Sequence, residues 1–165
     1  MTEISKLNFR IVKTGDGWEE IFLSGPIDEQ SLDILTKLEE QAGPKVILNL
    51  QNIGNINSLG LRTWTGFARS FGEKREWRIS RCSPDFTIKM AMVPQITGKA
   101  LIISFHFPLY CPQCDCDKSI LLSASDGQEA IAEQISSRKC EKCESPLKPE
   151  YEIENIISRI VRKSA

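Results

Sequence analysis

The chain has 165 residues, of which 41% are hydrophobic and 26% charged, and its formal net charge is −1 at pH 7. This length and composition suit one domain, or one domain with a small appendage, built on an ordinary hydrophobic core. They argue against binding of nucleic acid through a basic face, and no run reaches the about 18 apolar residues of a membrane span. The first ten residues, MTEISKLNFR, have no apolar stretch after a basic start, so we expect no secretory signal and a cytoplasmic location.

The chain begins with a hairpin pattern. Two short runs of alternating apolar and polar residues, 7–13 and 18–24, are separated by the turn-forming residues 14–17. Such alternation around an Asp-Gly turn predicts an antiparallel β-hairpin. Residues 25–26 (GP) are expected to end the second strand, and Asp28 is expected to cap the helix that follows.

Helix and strand patterns then alternate as far as the cysteines. Apolar positions that recur every three or four residues predict helices, and continuous apolar runs predict buried strands. The predicted helices are one that carries Leu32, Leu35 and Leu38 and ends at Gly43, one from Ser58 to Gly72 with Leu61, Trp64, Phe67, Ala68 and Phe71 on its inner face, and one from Ser83 to Pro94. The predicted strands are 45–50, 77–82 and 100–107, with a polar loop at 51–57.

This order of elements predicts an α/β fold with a mixed sheet flanked by helices. The composition changes at Tyr110, after which Cys, Ser, Asp, Lys and Pro dominate. We expect an α/β core over 1–109, a cysteine-rich insertion over 110–149, and an amphipathic helix in 150–165 that completes the core. The apolar face of that last helix is formed by Ile153, Ile156, Ile157, Ile160 and Val161.

Four of the six cysteines form two CxxC pairs. They are CPQC at 111–114 and CEKC at 140–143, separated by the 25 residues 115–139. Two such pairs can supply four thiolates to one tetrahedral metal, which favours zinc, with an iron–sulfur centre as the lesser option. The alternatives are reduced pairs without a metal, or a redox-active dithiol. We predict a structural Zn²⁺ in a small zinc-ribbon-like module, held by Cys111, Cys114, Cys140 and Cys143.

Few other residues are candidates for chemistry. Cys116 is interpreted as a spare thiol beside the cluster, and Cys82 as a small core residue. His106 is the only histidine and lies in a predicted strand, where packing is favoured over catalysis or metal ligation. The chain has neither the P-loop nor the dinucleotide-binding glycine motif. No catalytic residue is predicted, and we expect that the protein is not an enzyme.

Three segments of the chain resemble, in their order and spacing, the STAS family, which includes the bacterial anti-sigma factor antagonists. They are FLSGPID at 22–28, VILNLQNIGNINSLGL at 46–61 and RISRCSP at 78–84. The resemblance covers about residues 7–107 and, in altered form, the terminal helix. It implies a mixed sheet flanked by helices.

The resemblance also bears on phosphorylation. In the family, a loop that reads Asp-Ser-(Ser/Thr)-Gly-Leu leads into a helix and carries the phosphoacceptor. Here Asn57 takes the Asp position, Ser58 the first Ser, and Leu59 the phosphoacceptor position, before Gly60 and Leu61. Leucine cannot accept phosphate, so the resemblance implies a module without the usual switch. Ser58 is the alternative phosphosite, although capping of the helix is its favoured role.

By this resemblance, the protein is expected to be a non-enzymatic protein–protein interaction module in bacterial signalling, similar to an anti-sigma factor antagonist. Its partner would be an anti-sigma factor, a switch-type kinase or a related regulator, with a second copy of the chain as a further option. One alternative is nucleic-acid or transcription-linked binding through the zinc module, opposed by acidic residues beside its lysines. A thiol redox enzyme is the third reading. The residues expected to contact a partner are Asn55, Asn57, Ser58, Arg62 and Arg69.

Overall fold

The computed structural model describes residues 6–164, and side chains as far as Val161. Residues 1–5, on which the expectation of no secretory signal partly depends, and Ala165 lie outside the described residues. None of the helices in the described range combines the length and the apolar character needed to cross a membrane.

The described residues form two sheets and five α-helices, which confirms the predicted α/β class. The five-stranded sheet has the order β1-β2-β3-β4-β5, in which β1 runs antiparallel to β2 and the other neighbours are parallel. Its strands are β1 (Asn8–Lys13), β2 (Glu19–Ile27), β3 (Lys45–Ile56), β4 (Glu76–Ser80) and β5 (Leu101–Ile102). The second sheet is antiparallel and contains β7 (Cys116–Ser123), β6 (Ser104–Cys111) and β8 (Lys148–Pro149), in that order. The helices are α1 (Leu32–Gln41), α2 (Ser58–Lys74), α3 (Pro84–Met92), α4 (Gln128–Ser136) and α5 (Ile153–Ser164).

A single hydrophobic core lies between the sheets and the helices. The inner face of α2 packs as predicted, with the Trp64 and Phe86 rings edge to face at 5.4 Å. The Trp64 indole N–H donates to the Ile96 carbonyl at 2.7 Å, which satisfies the one polar atom that this large side chain buries. The predicted terminal helix is confirmed as well, since Ile156 and Ile160 of α5 are buried.

Strands β2 and β3 are longer than the sequence predicts. Residues 25–26 do not end β2, and residues 51–56 are strand rather than polar loop. The two extensions pair with each other through Ser24↔Asn52, Gly25↔Ile53 and Ile27↔Ile56, across two register shifts. This pairing buries Ile53 and Ile56, which supplies the apolar contact that a lone polar loop would lack.

Two of the predicted helix caps are wrong and one is confirmed, while α2 begins at Ser58 as predicted. Asp28 does not cap α1, because its carboxylate accepts the Gln30 amide at 2.9 Å in a local turn, and the helix begins four residues later, at Leu32. Ser58 does not cap α2, because Asn57 occupies the N-cap and accepts the Gly60 amide at 2.7 Å. Ser83 caps α3 as predicted.

The two later predicted strands are also divided differently. Strand β4 ends at Ser80 because Arg81 has a φ of 49°, outside the extended region. The predicted strand 100–107 is two strands of different sheets, β5 and β6. Residue pairing between Cys82 and Phe105 joins the sheets at this point. The predicted bounds 1–109, 110–149 and 150–165 stay a prediction.

Candidate functional site

The four predicted metal ligands converge in the structure. Cys111 ends β6 and Cys114 lies in the tight turn before β7, so the β6–β7 hairpin positions the first pair. The second pair follows α4 in a loop that its own backbone closes. There the Cys140 amide donates to the Ser145 carbonyl at 2.8 Å, and the Glu144 amide donates to the Cys140 carbonyl at 2.9 Å. Two short, closed loops therefore face each other.

The spacing of the four sulfur atoms suits one metal ion. All four Sγ atoms lie within 4.8 Å of one another, with Cys111–Cys143 at 3.6 Å and Cys114–Cys140 at 3.9 Å. A tetrahedral site with metal–sulfur bonds of about 2.3 Å has sulfur–sulfur edges of about 3.8 Å. Both distances far exceed the about 2.05 Å of a disulfide bond. The cluster can hold a metal ion through four thiolates.

Each CxxC loop is followed by a residue in the left-handed region. The φ angle is 51° at Asp115 and 59° at Glu144, directly after Cys114 and Cys143. Such a turn curls the backbone so that amides point at the first sulfur of the pair, as the Cys114 amide does toward Cys111 Sγ at 3.4 Å. Sequence reasoning missed these two residues because glycine, the usual signal for this conformation, is absent there.

Hydrogen bonds distribute negative charge unevenly over the cluster. The Ser145 hydroxyl and backbone lower the pKa of Cys143 to about 6, and the backbone of Cys143 lowers the pKa of Cys140. The Cys143 thiol and burial raise the pKa of Cys114 to about 12. The lowered pKa values mean that Cys140 and Cys143 ionise more readily than ordinary thiols. Cysteine binds a metal as the thiolate.

The two remaining cysteines lie apart from this arrangement. Cys116 is half-buried and pairs with Cys111 across the β6–β7 hairpin, but it is not one of the four converging sulfur positions. Cys82 is fully buried at the junction of the two sheets, and burial raises the pKa of its thiol. A protonated thiol in that position behaves as a small apolar side chain.

The five predicted partner-contact residues are exposed, but only Asn55, Asn57, Ser58 and Arg62 lie around the start of α2. Arg69 lies about three turns further along the helix and lines a different cavity, beside Pro94 and Lys99. The Asn57 side chain makes two hydrogen bonds, because it caps α2 and also donates to the Glu29 carboxylate at 2.9 Å. The second bond lowers the pKa of Glu29. Ser58 is the first residue of α2, and within the described part of the chain its hydroxyl makes no hydrogen bond. Arg62 and Arg69 make no ion pair with any described residue.

Sequence reasoning overlooked the groove beside this surface. It lies between α1 and α2, has a volume of ≈ 300 Å³, and includes Leu32, Arg62 and Gly66 in its lining. Leu32 is 58% exposed, and Leu59, at the predicted phosphoacceptor position, is 57% exposed. The exposure of Leu32 could not be foreseen, because its spacing from the buried Leu35 matches an inward-facing helix position.

His106 gives a pH-dependent prediction. Burial and the nearby charge of Arg81 lower the pKa of His106 in the folded state below its usual value of about 6.5. The unfolded chain therefore takes up a proton first as the pH falls. We expect the free energy of unfolding to decrease as the pH drops from about 7 through 6.5, and to level off below the folded-state pKa.

Denaturant unfolding at a series of pH values tests this expectation, with metal present in excess throughout. His106→Gln should remove the added slope that begins at about pH 7. Equal slopes for the variant and the unaltered protein would contradict it.

No family model matches this chain, and no curated protein matches it. The resemblance to the STAS family therefore stays a prediction from the sequence.

Proposed function

We propose that this protein is a non-enzymatic protein–protein interaction module in bacterial signalling, similar to an anti-sigma factor antagonist, that acts in the cytoplasm. The observation that carries the proposal is an exposed surface formed by Leu32 at the start of α1 and by Leu59 and Arg62 at the start of α2, where Arg62 makes no ion pair with a described residue. Exposed apolar groups beside a charged residue are typical of surfaces that a partner covers.

Gly66 supports a partner at the α1–α2 groove. It lies in the interior of α2, where glycine costs about 1 kcal/mol relative to alanine. A Cβ atom added there would meet nothing within 4 Å, so no contact inside the protein requires a glycine. A residue that weakens its helix without an internal reason is expected where another chain must approach closely.

The charges around the groove favour an acidic partner. The Glu39 carboxylate already forms an ion pair with Lys74 at 3.4 Å and accepts a hydrogen bond from the Ser70 hydroxyl at 3.1 Å. The Glu29 carboxylate accepts a hydrogen bond from the Asn57 side chain. Arg62 has no ion-pair partner among the described residues. A carboxylate on the partner, whether an anti-sigma factor, a switch-type kinase or a related regulator, would complement it.

The same surface favours binding that phosphorylation does not switch. Leu59 projects where the resembled family carries its phosphoacceptor, and its exposure offers an apolar contact instead. Ser58 stays the alternative phosphosite, since a phosphate at the first residue of α2 would meet the positive end of the helix dipole.

We further propose that the four-cysteine cluster holds Zn²⁺ in a structural role. Four thiolates at tetrahedral spacing complete the coordination of zinc and leave no position for a substrate. Beside the second CxxC loop, Arg138 forms an ion pair with Glu141 at 3.8 Å. This pair reduces the positive charge that a nucleic acid would need there, which disfavours the nucleic-acid alternative.

Two substitutions of Gly66 separate partner binding from folding. Gly66→Ala should raise the free energy of unfolding by about 1 kcal/mol, a rise in Tm of roughly 2–4 °C, because alanine is the better helix former and has room. Gly66→Trp should fold as well as the unaltered protein, because its side chain extends into open space, but should fill the groove. Thermal unfolding measures the first effect.

Affinity purification from the native host measures the second effect. The unaltered protein should recover a partner, Gly66→Ala should recover less of it because its methyl group hinders the close approach, and Gly66→Trp and Arg62→Glu should recover none. Recovery of an unchanged partner by both blocking variants would refute this surface. Recovery of nucleic acid lost at higher salt would favour the alternative function instead.

A further inference from the structure

The five-stranded sheet has one face that the described helices do not cover. Its helix-side residues, such as Ile21, Leu48 and Ile79, are fully buried. The alternate residues, such as Ile47 and Arg78, point the other way and are only half-buried. We call this second side the open face. Parallel strands are normally covered on both sides, so an open face over β2–β5 is unusual.

The open face carries exposed aliphatic side chains at its β5 edge. Leu101 is 43% exposed and Ile103 is 38% exposed, and both alternate with the buried Ile102. Beyond this edge, Leu121 of β7 is also exposed and pairs with His106 of β6. The three-stranded sheet therefore carries an exposed aliphatic side chain as well.

Buried polar atoms without partners are concentrated on the same side. Among the described residues they are Trp77 Nε1, Arg78 Nε, Ser80 Oγ and His106 Nε2. Ser80 is only 8% exposed, and it alternates with the inward-facing Ile79, as Arg78 does. His106 alternates with the inward-facing Phe105 and Phe107. Three of the four atoms thus belong to side chains of this side, and buried polar atoms without partners are rare enough to require an explanation.

The charge of the open face is positive although the chain as a whole is slightly negative. Contacts with aromatic rings hold two of its cations in place. Arg78 Cζ lies 4.3 Å from the centre of the Trp18 ring, and Arg10 Cζ lies 4.7 Å from the centre of the Phe22 ring. Glu20 is occupied by Asn49. Among the described residues of the face and its rim, four cations stand against three carboxylates, namely Arg10, Lys45, Arg78 and Arg81 against Asp16, Glu20 and Glu76.

Arg81, at the rim of the open face, is held in an unfavourable conformation. Its φ of 49° suits glycine, and β-carbon sterics disfavour it for arginine. Its amide donates to Ser104 Oγ at 2.9 Å, and its guanidinium reaches Gln51 Oε1 at 3.3 Å. The guanidinium makes no ion pair with a described residue. Residues held in strained backbone conformations are concentrated at binding and active sites.

From these features we infer that the open face binds an acidic, amphipathic segment of a partner protein, with Arg81 as its charged anchor. The exposed leucine and isoleucine side chains receive the apolar side of that segment, and the four cations receive its carboxylates. A second copy of this chain would bring two positive faces together. The rings of Trp18 and Phe22 already carry cations on their faces, so they offer no free platform for the stacked bases of nucleic acid.

A synthetic helical peptide of leucine and glutamate, about 18 residues or five turns long, is a suitable probe. Iodide quenching of tryptophan fluorescence reports its binding, because Trp18 is half-buried on the open face while Trp64 and Trp77 are buried. The peptide should protect Trp18 from iodide. Arg81→Gly should keep or raise the Tm, because glycine relieves the strain, and should weaken peptide binding about fivefold. Arg10→Glu should weaken it similarly.

Matched controls distinguish this inference from the proposed function. Arg69→Glu, on α2, and Gly66→Trp, in the α1–α2 groove, should leave peptide binding unchanged whether or not the groove binds a partner. Equal affinities of Arg81→Gly and the unaltered protein would overturn the inference. So would tighter binding of a single-stranded oligonucleotide than of the peptide, or self-association that covers Trp18 without any peptide.

Discussion

Replacement of Cys140 by serine should abolish metal binding and loosen the cysteine-rich segment, while the five-stranded sheet keeps its structure. The segment between α4 and β8 has no helix or long strand, and one bridge between Lys139 and Pro146 closes it. Without a metal, little else fixes the second CxxC loop against the first. A structural zinc contributes about 10–16 kcal/mol of apparent binding energy, so we expect a loss of roughly 4 kcal/mol or more in stability.

Hydrogen exchange with and without a chelator locates the effect. Amides of residues 137–147 and of the turn at 112–115 should lose protection first, and those of β2 and β3 should lose it last. Cys116→Ser is the matched control, because Cys116 lies beside the cluster without joining it, and it should keep one metal per chain. Metal analysis that finds iron would refute zinc but keep the site. A metal-free protein with unchanged protection would refute both.

The sequence was sufficient wherever a local interaction decides the structure. The cap at Ser83, the hairpin turn after β1 and the inner face of α2 depend on residues within a few positions of one another, and all three are confirmed. The strand extension at 51–56 depends instead on pairing with β2, more than 20 residues away, which local polarity does not reveal. Tertiary pairing there overrides local preference.

The candidate site divides in the same way. CxxC spacing identified the four ligands, because two cysteines three positions apart can reach one ion by local geometry alone. The pairing of Cys111 with Cys143 across the site depends on how the hairpin meets the loop after α4. The left-handed residues Asp115, Glu144 and Arg81 carry no glycine to mark them. Conformations that break a local rule are the ones that sequence patterns miss.

Gly60→Ala should destabilise the whole protein, in contrast to Gly66→Ala in the same helix. A Cβ atom at Gly60 would lie 2.0 Å from the Ile27 carbonyl oxygen and 2.6 Å from the Asp28 amide nitrogen. Both are backbone atoms, which cannot rotate aside as a flexible side chain would. The first turn of α2 would have to move away from the end of β2. The hydrogen bond from the Asn57 backbone amide to the Ile27 carbonyl, at 3.2 Å, would then be lost. We expect about 3 kcal/mol of lost stability.

The two alanine substitutions make this prediction specific, because they differ in neither residue type nor helix. A change of about 3 kcal/mol corresponds to a fall in Tm of roughly 6–12 °C, against the rise expected for Gly66→Ala. Circular dichroism during heating measures both. A Gly60→Ala protein with an unchanged Tm would mean that α2 does not dock closely on β2. Because that contact also sets where Leu59 projects, Gly60→Ala should reduce partner recovery even at temperatures where the variant is folded.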